Sequence, residues 1–89
     1  MGKKVAVIVT DNQREGVRMS VGLTLEDCAV SVFIMDKKLE SDEEIDLNVE
    51  TLGDMDGKIY SNTPENSFEQ KTVEEIARIL PEFDAVIHY

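Results

Sequence analysis

The sequence predicts an α/β domain with a doubly wound, mostly parallel four-stranded sheet, helices on both faces and the element order β-α-β-α-β-α-β. Three observations predict this fold. Short β-branched runs alternate with stretches of helical period, and the first two runs are apolar on both sides, as strands covered by helices are. The intervening segments have the length that a parallel crossover requires. At 89 residues the chain fits one domain, which we place at residues 1–89.

The four predicted strands follow the β-branched runs of the sequence. The first two, KVAVIVT and AVSVFIM, are almost wholly apolar, whereas the third, KIYSN, is shorter and more polar. The fourth run is DAVIHY. The predicted strands are Lys4–Thr10, Ala29–Met35, Lys58–Asn62 and Asp84–Tyr89.

The first predicted helix covers Glu15–Cys28 and has apolar residues on two sides. One apolar stripe ends at Leu25 and Cys28 and occupies about a quarter of the helical wheel. Met19 and Leu23 lie on the opposite side. This second apolar side is either surplus that a small domain cannot cover or a contact with a neighbouring subunit.

The second and third helices carry sequence signals at their ends. Ser41–Glu44 reads SDEE, a capping box whose acids favour the positive end of the helix dipole. We expect Gly53 or Gly57 to end the second helix in the left-handed conformation. The third helix begins at its better capping box, Thr72–Glu75, although Ser67–Gln70 could start it a turn earlier, and it ends at Pro81.

Composition and charge exclude several classes of partner and site. Nine Lys and Arg residues against 19 Asp and Glu residues give a net charge of −10, which argues against binding to nucleic acid or to an anionic membrane. The single cysteine, Cys28, excludes an intramolecular disulfide framework and a Cys-rich zinc site. Because His88 is the single histidine, we expect no metal site, and we expect no cofactor either. The longest aliphatic run, Val5–Val9, is far shorter than the ~20 residues of a membrane span. With no signal peptide recognised, we expect a cytoplasmic location.

Acidic residues concentrate in one segment of the chain. Between Glu40 and Asp56 there are eight acids and no Lys or Arg. Such a run is typical of a solvated helix face. The alternative is a surface that docks a basic partner.

Polar side chains follow the first three predicted strands, where an open parallel sheet binds its ligands. Neither the GxGxxG pattern nor the P-loop pattern occurs there, although the start of the first helix could receive an anion. These residues are either ordinary polar loops or a site for a small molecule or nucleotide, and none is predicted to be catalytic. The candidate ligand-binding residues are Asp11, Asn12, Arg14, Asp36, Ser61 and Asn62.

Four segments of the chain resemble the DsrE/DsrF-like family. Val17–Leu25 and Val30–Asp36 resemble the first helix and second strand of that family, and Val73–Leu80 and Phe83–Tyr89 resemble its ending. The resemblance implies a small DsrE- or flavodoxin-like α/β protein. Several members relay sulfur as a cysteine persulfide within homo- or hetero-oligomers.

The chain departs from the sulfur-relaying members at the third strand. In those members the active cysteine lies in or just after the segment that matches Tyr60–Thr63, and this chain has none there. Cys28 belongs to a different element. The resemblance therefore implies a non-catalytic subunit or accessory partner in sulfur metabolism, which forms homo-oligomers or pairs with a cysteine-bearing relative. The alternatives are a small-molecule or nucleotide-binding module and, third, an enzyme whose nucleophile is Cys28 or a hydroxyl at the strand ends.

Overall fold

The computed structural model describes residues 3–89 of the chain. Five strands and three α-helices follow one another along these residues, and a short 3₁₀ helix, Leu80–Glu82, follows the last α-helix. The strands are β1 (Lys4–Val9), β2 (Ala29–Ile34), β3 (Lys58–Ser61), β4 (Glu69–Gln70) and β5 (Ala85–His88), and the α-helices are α1 (Gln13–Leu25), α2 (Glu43–Asp54) and α3 (Val73–Ile79).

The five strands form one parallel sheet in the order β4-β3-β2-β1-β5. In this sheet Val5 of β1 is paired with Val30 of β2 on one side and with Ala85 of β5 on the other. The predicted α/β class and parallel sheet are confirmed. From β1 the chain moves outward through β2, β3 and β4 and then returns to the opposite flank of β1, so that the strand order reverses beside β1.

The prediction of four strands is wrong, because a fifth strand, β4, lies between the third predicted strand and the third predicted helix. Glu69 and Gln70 are paired with Tyr60 and Ser61, and the N–H of Lys71 donates to the carbonyl oxygen of Ser61 at 2.9 Å. A strand of two polar residues has no hydrophobic alternation to reveal it. Only its pairing with β3 makes it a strand.

Alternate residues of β1 pack into two apolar clusters. Its odd-numbered residues pack with Val17 of α1 and Leu52 of α2. Its even-numbered residues Ala6 and Ile8 pack with Ile76 of α3. Every residue of β1 after the first is buried, which explains why the run shows no alternation of polar and apolar side chains.

The start of α2 is shifted by one residue from its predicted position, and the predicted start of α3 is confirmed. Asp42, and not Ser41, caps α2, because its carboxylate accepts a hydrogen bond from the N–H of Ile45 at 2.8 Å. In α3 the Thr72 hydroxyl accepts from the N–H of Glu75, whose carboxylate accepts in return from the N–H of Thr72. This second hydrogen bond lowers the pKa of Glu75.

Aspartates, and not glycines, take the left-handed position after α1 and α2. Asp27 and Asp56 have φ of 64° and 63°. The next N–H in each case, that of Cys28 or Gly57, donates to the carbonyl oxygen five residues earlier, which is a Schellman motif. The expectation that Gly53 or Gly57 takes this conformation is wrong, because aspartate also tolerates it.

Candidate functional site

The parallel topology brings the carboxyl ends of β1, β2 and β3 to one end of the sheet. We call residues 10–14, 36–42 and 61–63 at this end the rim. The rim contains all six predicted site residues, but they do not form one cluster. Among the six, only Asp36 and Asn62 bond to each other through their side chains. Asn12, at the start of α1, is exposed, and its side chain makes no capping hydrogen bond.

Asp36 and Asn62 contact each other directly across the rim. The amide oxygen of Asn62 accepts from the N–H of Asp36 at 2.8 Å, and its amide nitrogen donates to the Asp36 carboxylate at 3.0 Å. Asp36 has a φ of 68°, a conformation in which aspartate is one of the tolerated residues. The pair therefore fixes the turn that follows β2.

Ser61 is fully buried, and its hydroxyl has no free hydrogen-bonding capacity. It donates to the carbonyl oxygen of Ile34 at 2.8 Å and accepts from the N–H of Thr63 and from the side-chain amide of Asn66. A hydroxyl offers one donor and two acceptor positions, and all three are used. Ser61 was predicted to bind a ligand, but its hydroxyl is not available to solvent.

Two buried amides that sequence reasoning did not single out hold the loop after β2. The side-chain oxygen of Asn66 accepts from the N–H of Leu39 at 2.8 Å, and its nitrogen also donates to the carbonyl oxygen of Lys37. Gln13 at the start of α1 donates to the carbonyl oxygen of Lys38 and accepts from the N–H of Glu40. The one available signal for Asn66 was its place after Pro-Glu in a turn-forming stretch, where asparagine bonds to backbone groups.

Asp11 and Arg14 are both held in exposed ion pairs. Asp11 pairs with Lys37 at 2.6 Å, and this hydrogen bond raises the pKa of Lys37. Arg14 bridges Asp42 and Glu44 at the start of α2, and the hydrogen bond to Glu44 raises its pKa further. The pKa of Asp42 is lowered, first by the backbone hydrogen bond of the helix cap and then by the charge of Arg14. An anion at the rim would have to displace these carboxylates from Arg14.

Among the concave regions that border the rim, two lie beside α1 and α2. One, of about 300 Å³, lies at the start of α1 and is lined by Asp11, Asn12, Gln13, Arg14, Glu15 and Glu40. The other, of about 350 Å³, lies between the loop after β2, α2 and the loop before β4. Within residues 3–89 no group of three or more His, Cys, Asp or Glu side chains is placed to hold a metal ion.

Cys28 lies at the opposite end of the sheet from the rim. It directly precedes β2, whereas Ser61 is paired with Ile34 at the other end of that strand. At 3.3 Å per residue the two positions are about 20 Å apart along the strand direction. Cys28 is half-buried against the apolar cluster that includes Val30. It therefore cannot reach a substrate held at the rim.

Comparison of the chain with protein-family models, with curated proteins and with solved structures finds no match. The likeness to the DsrE/DsrF-like family stays a prediction. In the part of the chain that the structure describes, no helix is long and apolar enough to cross a membrane.

Proposed function

We propose that this protein is a non-catalytic, self-associating cytoplasmic subunit of the DsrE/DsrF-like kind, accessory to sulfur metabolism. The observation that carries the proposal is the absence of a cysteine at the carboxyl end of β3. The sulfur-relaying proteins that it resembles keep a cysteine in or just after the segment that matches Tyr60–Thr63, where this chain has none. In that segment the hydroxyl of Ser61 is buried and fully hydrogen-bonded. A persulfide carrier needs an accessible thiolate, because the polarizable sulfur is the nucleophile.

The proposal includes a doubly wound arrangement of the DsrE- or flavodoxin-like kind, with helices on both faces of the sheet. The alternation of β1 residues between two apolar clusters supports this arrangement. In such a protein the thiol for sulfur transfer would come from another chain. A cysteine-bearing relative that forms hetero-oligomers with this chain would supply it.

The outer edge of β5 supports self-association. The N–H of Tyr89 donates to the carbonyl oxygen of Ile8, and the carbonyl oxygen of Tyr89 accepts from the N–H of Thr10. The odd-numbered residues of this strand therefore direct their N–H and C=O groups toward β1. The peptide groups of Val86 and His88 therefore point to the open side, which no strand among residues 3–89 covers. The Val86 side chain is 42% exposed.

The two sheet edges differ in their protection against pairing. β4 has only two residues and carries the charge of Glu69, both of which discourage pairing. Residues 85–89 contain no carboxylate side chain, although the chain as a whole carries −10. Two copies can thus approach at the β5 edge with less repulsion than at the β4 edge. An interface of about 800 Å² per subunit would be an ordinary one.

Native mass spectrometry of the purified protein tests assembly and sulfur loading together. We expect a dimer or larger oligomer that moderate salt strengthens, because salt screens repulsion between the acidic subunits. After treatment with a persulfide donor and then a thiol acceptor, we expect no sulfur to be transferred. A strict monomer at high concentration would contradict self-association, and sulfur turnover would contradict the non-catalytic role.

The variant Val86→Lys locates the interface at β5. Lysine is a residue that blocks edge strands. The substitution makes the chain less negative than −10, so stronger repulsion between the overall net charges cannot explain a loss of assembly. We expect dimer affinity to fall by about tenfold or more. The matched control is Leu47→Lys on α2, where an apolar side chain that is 62% exposed is changed in the same way. Equal effects of the two variants would exclude β5 as the interface.

The second candidate is a binding module for small molecules or nucleotides at the rim. The hollow of about 300 Å³ at the start of α1, lined by Asp11, Asn12 and Arg14, favours it. A thermal-shift panel of nucleotides and sulfur metabolites tests this function. We expect no rise of the melting temperature, because the charged rim side chains are already paired. A ligand that raises it, and whose effect Arg14→Ala abolishes, would establish the second candidate in place of the first.

A further inference from the structure

We propose that the larger concave region is a docking groove for a basic segment of a partner protein that inserts an apolar side chain. We call it the α2 groove. It lies on the β4 side of the sheet, whereas β5 forms the opposite edge, so the inference does not depend on self-association. The groove has a volume of about 350 Å³ and is lined by Lys38, Leu39, Glu40, Ser41, Asp46, Val49, Glu50, Glu65, Asn66, Ser67 and Phe68.

The floor of the α2 groove is apolar. Leu39, Val49 and Phe68 come from three different segments, and each packs on the main core cluster while remaining half-exposed. Burial of one large apolar side chain against such a floor favours binding, because it removes apolar area from water. At about 350 Å³ the groove is at the small end of the ~300–1,000 Å³ range of ligand pockets, so it has room for few side chains.

The charges around the floor decide which partner fits. The lining contains four carboxylates, those of Glu40, Asp46, Glu50 and Glu65, and one lysine, Lys38, which leaves 1 − 4 = −3. None of these carboxylates takes part in any of the ion pairs found among residues 3–89. Carboxylates around the groove that have no ion-pair partner attract and orient a basic partner.

The walls of the groove are already ordered in the free protein. Asn66 and Gln13 fix the backbone of the loop after β2 at four points, and Ser41 donates to the Asp46 carboxylate. A partner would therefore meet a preformed surface and would not have to order it. Preorganisation of this kind lowers the entropic cost of binding.

The shape of the groove favours a polypeptide over a small cation. The groove is open to solvent along one side, whereas small-molecule sites enclose most of their ligand. Its acids also come from four positions spread over three segments, and none forms a metal-binding group in the described part of the chain. Several separate basic side chains on one peptide could each meet one of these acids.

Fluorescence anisotropy with a labelled peptide tests the proposal. The probe carries arginine and lysine residues around one central phenylalanine, and we expect it to bind with an affinity that falls as salt is raised. Replacing the phenylalanine with serine should weaken binding by about tenfold, equivalent to about 1.4 kcal/mol. Failure of the probe to bind, or equal binding of the serine peptide, would overturn the proposal.

Protein variants locate the binding. The triple variant Glu40→Gln, Glu50→Gln and Glu65→Gln removes three carboxylates that have no ion-pair partner, and we expect a loss of affinity of about tenfold. These side chains are on surface positions, so the fold should survive the change.

The control triple variant removes the same charge elsewhere. Glu26→Gln, Glu74→Gln and Glu82→Gln are also exposed and lie outside the groove, and we expect less than about a twofold change. Equal losses in the two triples would show attraction to the overall net charge and would overturn the proposal. Displacement of the probe by spermine at equal affinity would assign the groove to small polycations and overturn it too.

Discussion

Phe33→Ala is expected to lower the free energy of unfolding by about 3–5 kcal/mol, the largest effect of any change considered. Phe33 is completely buried in β2. Its ring stacks on Tyr60 at 5.3 Å and meets Phe83 edge-on at 6.1 Å. Removal of the ring leaves a cavity at the centre of the cluster that joins α3 to the sheet. For a small domain with about 5–15 kcal/mol of stability, much of the total is lost.

Urea denaturation measures this loss as a lower midpoint with an unchanged slope. The matched control is Phe68→Ala, which removes the same atoms from a half-exposed ring. Because folding buries less apolar area at Phe68 than at Phe33, we expect the free energy of unfolding to fall by about half as much there. Similar losses at the two positions would contradict the view that the Phe33 cluster holds α3 in place.

Asn66→Ala is expected to be the second most damaging change, with a loss of about 2–4 kcal/mol. The substitution removes three side-chain hydrogen bonds that join the segment before β4 to Ser61 and to the backbone of Lys37 and Leu39. Each buried polar group left without a partner costs about 1–3 kcal/mol. Faster hydrogen exchange of the Leu39 amide, together with a lower urea midpoint, would report the release of the loop.

Asn62→Ala provides the control for this prediction. Asn62 also bonds to the loop after β2, through Asp36, but at a more exposed position, where water replaces the lost bonds. We expect a loss of less than about 1 kcal/mol there. If both variants lost equally, the buried bonds of Asn66 would not be what holds the loop.

The fold was largely predictable because its signals are local. The apolar run of β1 and the capping box at Thr72 and Glu75 specify buried strand and helix start within a few residues of sequence. β4 could not be predicted in this way, because Glu69 and Gln70 become a strand only by pairing with Tyr60 and Ser61. The left-handed aspartates after α1 and α2 were missed because glycine is the more common residue there.

The location of the candidate residues at one end of the sheet could be predicted from the sequence, but the contacts between their side chains could not. Parallel strands must bring their carboxyl ends together, so the rim followed from the strand assignment. Which side chains pair with one another depends on rotamers and loop paths that no local pattern encodes. Arg14 thus bonds to the start of α2, and Ser61 is buried beneath an asparagine from a loop that had no predicted role.

The position of β1 between β2 and β5 has a consequence for synthesis of the chain. Residues 4–9 are made well before residues 85–89, so one flank of β1 gains its partner only after residues 85–89 have left the ribosome. This contact spans about nine-tenths of the sequence, so it raises the contact order and slows folding. Until it forms, the nascent chain presents an apolar strand with an unpaired flank, to which β5 from another ribosome could add. Domain swapping through β5 is therefore the misassembly to which this topology is most exposed.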